Sequence, residues 1–167
     1  VLVTERVCMH VLHFIAVEAD TAKEAVDEVE IVLENNESPV FPWSDWAEIG
    51  GRWKNEGEVH CYAEDPTKFE GFLERARLNR VNEIKYLLSN IDPEAIIEQV
   101  RNFDGENPGY DIAFYRLRQA IAIAEGKGKH DACFYDLKEW CEDFKYLRGR
   151  METDPTRQFL VLVDFHY

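Results

Sequence analysis

The stretch QFLVLVDFHY, residues 158–167, decides the fold. It is apolar almost throughout and reads as a strong terminal strand. A strand this apolar needs a sheet neighbour beside it. The segment RVCMHVLHFIAVE, residues 6–18, is the expected one. It is rich in Val, Ile, Phe and Leu, too short for a typical independent helix, and reads as a strand with both faces at least partly covered. Asp164 interrupts the terminal run, and a carboxylate inside an apolar strand must face water or find a partner. Arg52 is a candidate partner, a pairing that would make both residues structural.

Between these two ends the periodicity changes. In ADTAKEAVDEVEIVLENN, residues 19–36, Ala22, Ala25, Val26, Val29, Val32 and Leu33 form one helical stripe. Thr21 followed by Glu24 is a capping box, and Asn35-Asn36 marks the end. WAEI and RWKN flank Gly50-Gly51, and EVHCYAE alternates after them, which predicts two short strands or a hairpin. Asp65-Pro66 opens a helix, Asp as N-cap and Pro at the first helical position. Its stripe runs through Phe69, Phe72, Leu73, Ala76, Ile84, Leu87 and Leu88 and weakens around Asn79. Asp92-Pro93-Glu94 starts another helix through Ile96, Ile97 and Val100. A further one runs from about Asp111 to Glu125, and residues 136–150 place Leu137, Trp140, Phe144 and Leu147 together.

The order is strand, helix, short strands, four helices, strand. This predicts an α+β fold: a small, mainly antiparallel sheet with a ferredoxin-like opening half, its helices massed on one face. The 167 residues form a single domain, with a helical insertion at about 66–150 between the early strands and the last one.

Thirty-three Asp and Glu against nineteen Lys and Arg give a net charge of −14. That field repels DNA, RNA and anionic membranes and attracts basic surfaces, although such a charge serves solubility before it serves any partner. The acidic residues are spread along the chain and form no acidic tail. An apolar content of 46% excludes a disordered chain. No segment approaches the ~20 apolar residues that span a bilayer. VLVTERVCMH lacks the features of a secretory leader, and Cys8, Cys61, Cys133 and Cys141 read as reduced core thiols, so the expected compartment is the cytoplasm.

The segment DWAEIGGRW, residues 45–53, follows the proline-broken loop SPVFPW. Gly-Gly permits positive φ and removes side chains, which serves either a tight turn or a close ligand approach. Arg52 offers a planar donor fork for phosphate or carboxylate, and Trp43, Trp46 or Trp53 could stack on a base. Strand alternation would send Arg52 and Trp53 to opposite faces. The competing reading is a packed hairpin with its tryptophans in the core and Arg52 paired to Asp45 or Glu48. The two known glycine-rich phosphate-loop patterns are absent.

His10 and His13 fall on opposite faces of the first strand, while Cys8 and His10 share one. Cys8, His10, His60 or Cys61, and His166 would make a zinc site only if their strands adjoin, and no ligand spacing supports it. None of the strand histidines has the hydroxyl two residues on that a two-histidine phosphoesterase needs. Cys61 or Cys133 as a nucleophile lacks an obvious partner in sequence, although His130 lies three residues before Cys133. No specific enzymatic signature emerges, and neither a metal nor a cofactor is expected.

DWAEIGGRW after an opening strand and helix, with LVDFHY at the end, resembles small accessory proteins of bacteriophages and other mobile elements. The resemblance covers about the first sixty and the last thirty residues and implies no catalytic residues. The expected function is a non-enzymatic binding protein of that type. It would sequester a small nucleotide-like anion through Trp46, Gly50, Gly51, Arg52 and Trp53, which would suit an anti-defence role. The alternative is an acidic interaction protein, or nucleic-acid mimic, that inhibits a basic host protein. Neither reading involves direct nucleic-acid or membrane binding, and homo-oligomerisation stays open.

Overall fold

The computed structural model describes residues 10–35, 44, 46–101, 112–126, 133–137 and 144–166. β1 (His10–Glu18) and β5 (Gln158–His166) pair antiparallel along their whole lengths, from His10 opposite His166 to Glu18 opposite Gln158. This is the expected union of the chain's two apolar ends. On its other side β5 pairs antiparallel with β2 (Trp46–Ile49) and β3 (Val59–Cys61). The free edge of β1 takes β4 (Cys133–Asp136) in parallel. β5 is therefore interior, with neighbours on both sides, which accounts for its near-continuous apolar run.

β2 and β3 are not a hairpin. The Gly50 amide donates to the Leu162 carbonyl at 2.8 Å, and the Leu162 amide donates to the Glu58 carbonyl at 2.9 Å. Gly50 and Glu58 thus flank one residue of β5, and β2 and β3 are two pieces of a single edge strand with residues 51–57 looped out. Gly51–Glu56 form a 3-10 helix, so the expected RWKN strand is replaced by a helical turn. The physical reason is at the glycines: φ of 74° at Gly50 and 44° at Gly51 turns the chain out of the sheet. The Trp53 amide then closes on the Gly50 carbonyl at 2.8 Å.

α1 (Ala22–Glu34) joins β1 to β2, which run parallel with β5 antiparallel between them, a split βαβ arrangement. Half of its cap is as expected, since Thr21 Oγ1 accepts from the Glu24 amide at 3.1 Å; the Glu24 carboxylate reaches back one residue beyond the cap, accepting from the Asp20 amide at 2.9 Å. Ala25 and Val29 of α1 pack on Ile15, Val17, Val161, Val163 and Phe165. The opposite face, with Leu12, Phe14, Leu160 and Leu162, receives Phe69, Phe72, Leu73 and Ala76 of α2 (Pro66–Ser89) and Leu147 and Met151 of α5 (Phe144–Thr153). Helices therefore cover both faces and not one, because β1 and β5 are apolar on both and each face needs a cover.

α2 begins as expected, with the Asp65 carboxylate accepting from the Lys68 amide at 2.9 Å and Pro66 in the first turn. At 24 residues it is about 36 Å long and outruns the sheet. Its second half packs Ile84 and Leu87 against Ala120 and Ile123 of α4 (Ile112–Ala124). The weak stripe around Asn79 is the handover between these two cores, and Leu88, assigned to the stripe, is exposed. α3 (Pro93–Arg101) starts with the Asp92 carboxylate accepting from the Glu94 amide at 3.0 Å.

The 66–150 segment is not wholly helical, since it contains β4. All four residues of β4 are buried, so the strand shows no alternation and is too short to announce itself. The expected 136–150 helix divides accordingly. Leu137 packs on the α1 side of the sheet, Phe144 and Leu147 pack on the α2 side, and Trp140 lies outside the described residues. Asp136, with no exposed surface, accepts from the Arg150 guanidinium. Arg150 also lies 3.9 Å from Glu18, Glu18 is 3.2 Å from Arg157, and Arg157 is 2.7 Å from Asp20. This chain of charges ties the ends of β1, β4 and α5 together.

Candidate functional site

Even-numbered residues of β5 face the α2 side, so Leu160 and Leu162 enter the core there while Asp164 and His166 continue the same face toward the strand's end. In register, His166 has His10 on one side and Trp46 on the other. The three rings form a cluster. Trp46 stacks on His166 at 5.1 Å and 8°, and His10 sets an edge against both, at 5.5 Å from Trp46 and 5.1 Å from His166.

Asp164, 1% exposed, is the polar centre of this corner. His10 Nδ1 lies 3.0 and 3.1 Å from its two oxygens, and the Arg52 amide donates to Oδ2 at 3.1 Å. A carboxylate only accepts, so Nδ1 carries the proton and the ring is held in one tautomer. The pairing expected between Arg52 and Asp164 thus exists through the backbone and not the guanidinium, which leaves the Arg52 side chain exposed. The reason for a glycine at 51 is equally local: a Cβ there would lie 2.3 Å from Asp164 Cβ and 2.6 Å from Oδ2. Gly-Gly lets the backbone approach a buried carboxylate.

Of the five predicted site residues, Gly51 and Arg52 touch Asp164, and Gly50 is buried as a β5 partner. Trp46 is 42% exposed and does not enter the core, whereas Trp53 packs partly buried against the α2-side cluster. Both tryptophans therefore serve the same side of the sheet, and strand alternation does not govern Arg52 and Trp53, which sit in a 3-10 turn. Trp43 and Asp45 lie outside the described residues. The sequence reading missed His10 as a member of this group. The signal available was Asp164 within an apolar strand, which needs a partner, but naming that partner requires the β1–β5 register.

His13 faces the other side, 4.6 Å from Phe165, as the alternation predicts. His60 lies opposite Leu160, six residues from His166 along β5, roughly 20 Å away, so it cannot share a metal with His10 and His166. Among the described residues no group of three His, Cys, Asp or Glu is placed to hold a metal ion. Cys8 and His130 lie outside those residues. Cys133 is fully buried, which removes it from any substrate.

The looped-out segment is fastened to α2. Lys68 Nζ donates to the Glu56 carbonyl at 2.7 Å, and Arg75 pairs with the Glu56 carboxylate at 3.1 Å. Beneath it, His60 packs against Phe72 at 4.8 Å, with its Nε2 buried and without a hydrogen-bond partner among the described residues. Burial holds the His60 pKa below its ordinary 6.5; the Lys68 charge lowers it further, while backbone carbonyls of Gly57 and Glu56 and the Asp65 charge oppose both. A depressed folded value means that, as pH falls below 6.5, the unfolded chain takes up a proton that the folded chain resists. The melting temperature is therefore expected to fall with pH below that point, until the folded value is reached, by roughly 2 °C per pH unit from this group. Thermal unfolding of wild type and His60→Gln between pH 7 and pH 5 checks it: the difference between them carries the slope, and parallel curves would refute it.

No helix of the described residues is long and apolar enough to cross a membrane. No protein family, curated protein or solved structure matches the chain.

Proposed function

We propose that this chain is a binding protein of phage or mobile-element type that holds a small nucleotide-like anion at the corner built by Trp46, Gly50, Gly51, Arg52 and Trp53. The observation that carries the reading is Trp46, an indole left 42% exposed yet fixed by its stack on His166. A large apolar ring left in water forgoes the free energy of burial, and a ring already immobilised loses little entropy when a base stacks on it. Arg52 adds an exposed guanidinium on a turn whose own amide is anchored to Asp164, a placed donor fork for phosphate. Trp53 acts as a buttress. The net charge of −14 opposes anions at long range, so affinity rests on the local Arg52 cation and on stacking against Trp46. The two segments behind the phage resemblance, DWAEIGGRW and LVDFHY, meet at this corner, which supports treating them as one unit.

The test is calorimetric titration with the nucleoside 5′-monophosphates. Trp46→Ala is expected to weaken binding by about 1–3 kcal/mol, the usual worth of a stacked base. Arg52→Ala is expected to weaken it about tenfold or more, with the melting temperature within roughly 2 °C of wild type because the hydrogen bond from the residue-52 backbone amide to Asp164 remains. Wild-type protein that binds none of these probes overturns the reading and turns attention to the acidic surface and a basic protein partner.

A further inference from the structure

Within the corner, His10 is the residue whose chemistry is most fully determined and least explained by packing. Its Nδ1–H is committed to Asp164, and Asp164 is itself fixed by the Arg52 amide. The ring cannot flip or change tautomer without leaving a buried carboxylate short of a donor. The hydrogen bonds of the ring among the described residues are made by Nδ1, and the side chain keeps 15% of its surface exposed. In the neutral ring Nε2 is an acceptor only. A buried Asp that fixes one imidazole nitrogen and leaves the other as an oriented acceptor at a rim is a device for recognising a donor.

We infer that His10, positioned by Asp164, is a ligand-contacting residue that accepts a hydrogen bond from a 2′ or 3′ ribose hydroxyl, so that the site selects ribonucleotides over their 2′,3′-dideoxy counterparts. This rests on the binding reading above. A base stacked on Trp46 hangs its sugar beside the indole, and the His10 ring is 5.5 Å from that indole. Arg52 takes the phosphate. A site built to accept from a hydroxyl discriminates against ligands lacking it, because the placed acceptor then loses water without replacement.

The experiment compares adenosine 5′-monophosphate with its 2′,3′-dideoxy counterpart by calorimetry, on wild type and His10→Asn. The Asn side-chain amide stands near the position of Nδ1 and keeps a donor to Asp164 while removing Nε2. Wild type is expected to bind the ribonucleotide about tenfold more tightly, and His10→Asn to lose that preference at an unchanged melting temperature. Should the variant fail to fold, long-range nitrogen–proton spectra of wild type decide the matter. The His10 Nε2 resonance is expected to move on adding the ribonucleotide while Nδ1 stays. Equal binding of both nucleotides, or an unmoved Nε2 at saturation, overturns the inference and leaves the Trp46–Arg52 reading standing. Binding of neither nucleotide overturns both.

Discussion

Gly51→Ala is expected to destabilise the protein by about 3–5 kcal/mol and to lower its melting temperature by roughly 10 °C. The new Cβ would lie 2.3 Å from Asp164 Cβ, an atom of a central strand that is hydrogen-bonded on both sides and has little room to yield. The backbone adds its own penalty, since a φ of 44° is one that an L side chain adopts at a cost of about 1 kcal/mol. Relief requires the turn to lift away, which breaks the hydrogen bond from the Arg52 amide and leaves a buried carboxylate short of a donor, worth about 1–3 kcal/mol more. Gly50→Ala is the control. Its added Cβ would meet Glu58 Cγ at 2.8 Å, part of an exposed and flexible side chain, so the expected loss is about 1–2 kcal/mol, chiefly backbone. Thermal or urea unfolding of both variants measures the contrast. Equal effects at the two positions would refute the assignment of Gly51 to the approach over Asp164.

The second large effect lies at the opposite end of the sheet. Arg150→Met is expected to cost about 3–5 kcal/mol, because it leaves Asp136 fully buried without its guanidinium and Glu18 beside it. Methionine keeps most of the side-chain stem, so the loss reports the charge and not the volume. The double variant Asp136→Asn/Arg150→Met removes the buried carboxylate charge together with its guanidinium and is expected to recover about half of the loss. Unfolding free energies of the two single variants and the double close the cycle. Additive costs would show that the pair is not coupled. A buried pair of this kind contributes little net stability when intact and much instability when halved, since desolvation has already been spent on both ions.

These two sites mark how far the sequence could be read. The caps were legible residue by residue: Thr21 with Glu24, Asp65 with Pro66, and Asp92 with Glu94 each satisfy amides within a few positions of themselves. The β1–β5 pairing was legible because two terminal runs, apolar on both faces, need each other. Gly50-Gly51 left two short strands and a hairpin equally open, because glycine pairs serve turns and close approaches alike. The absence of alternation in RWKNEGE was the local clue against a strand. β4 left no such clue, since four uniformly buried residues carry no period.

The sequence by itself determined the fold class, the positions of most elements, and the oddity of an aspartate in the last strand. Only the tertiary structure decided that the edge strand is broken by a looped-out turn, that helices cover both faces, and that His10, Gly51, Arg52 and Asp164 form one group. The physical reason is range. A cap or a stripe is written over three to four residues, whereas the bonds from Asp164 reach across 112 residues to Arg52 and 154 to His10. Such contacts depend on strand register, and register is set by the summed burial of whole strands, not by the residues that end up touching.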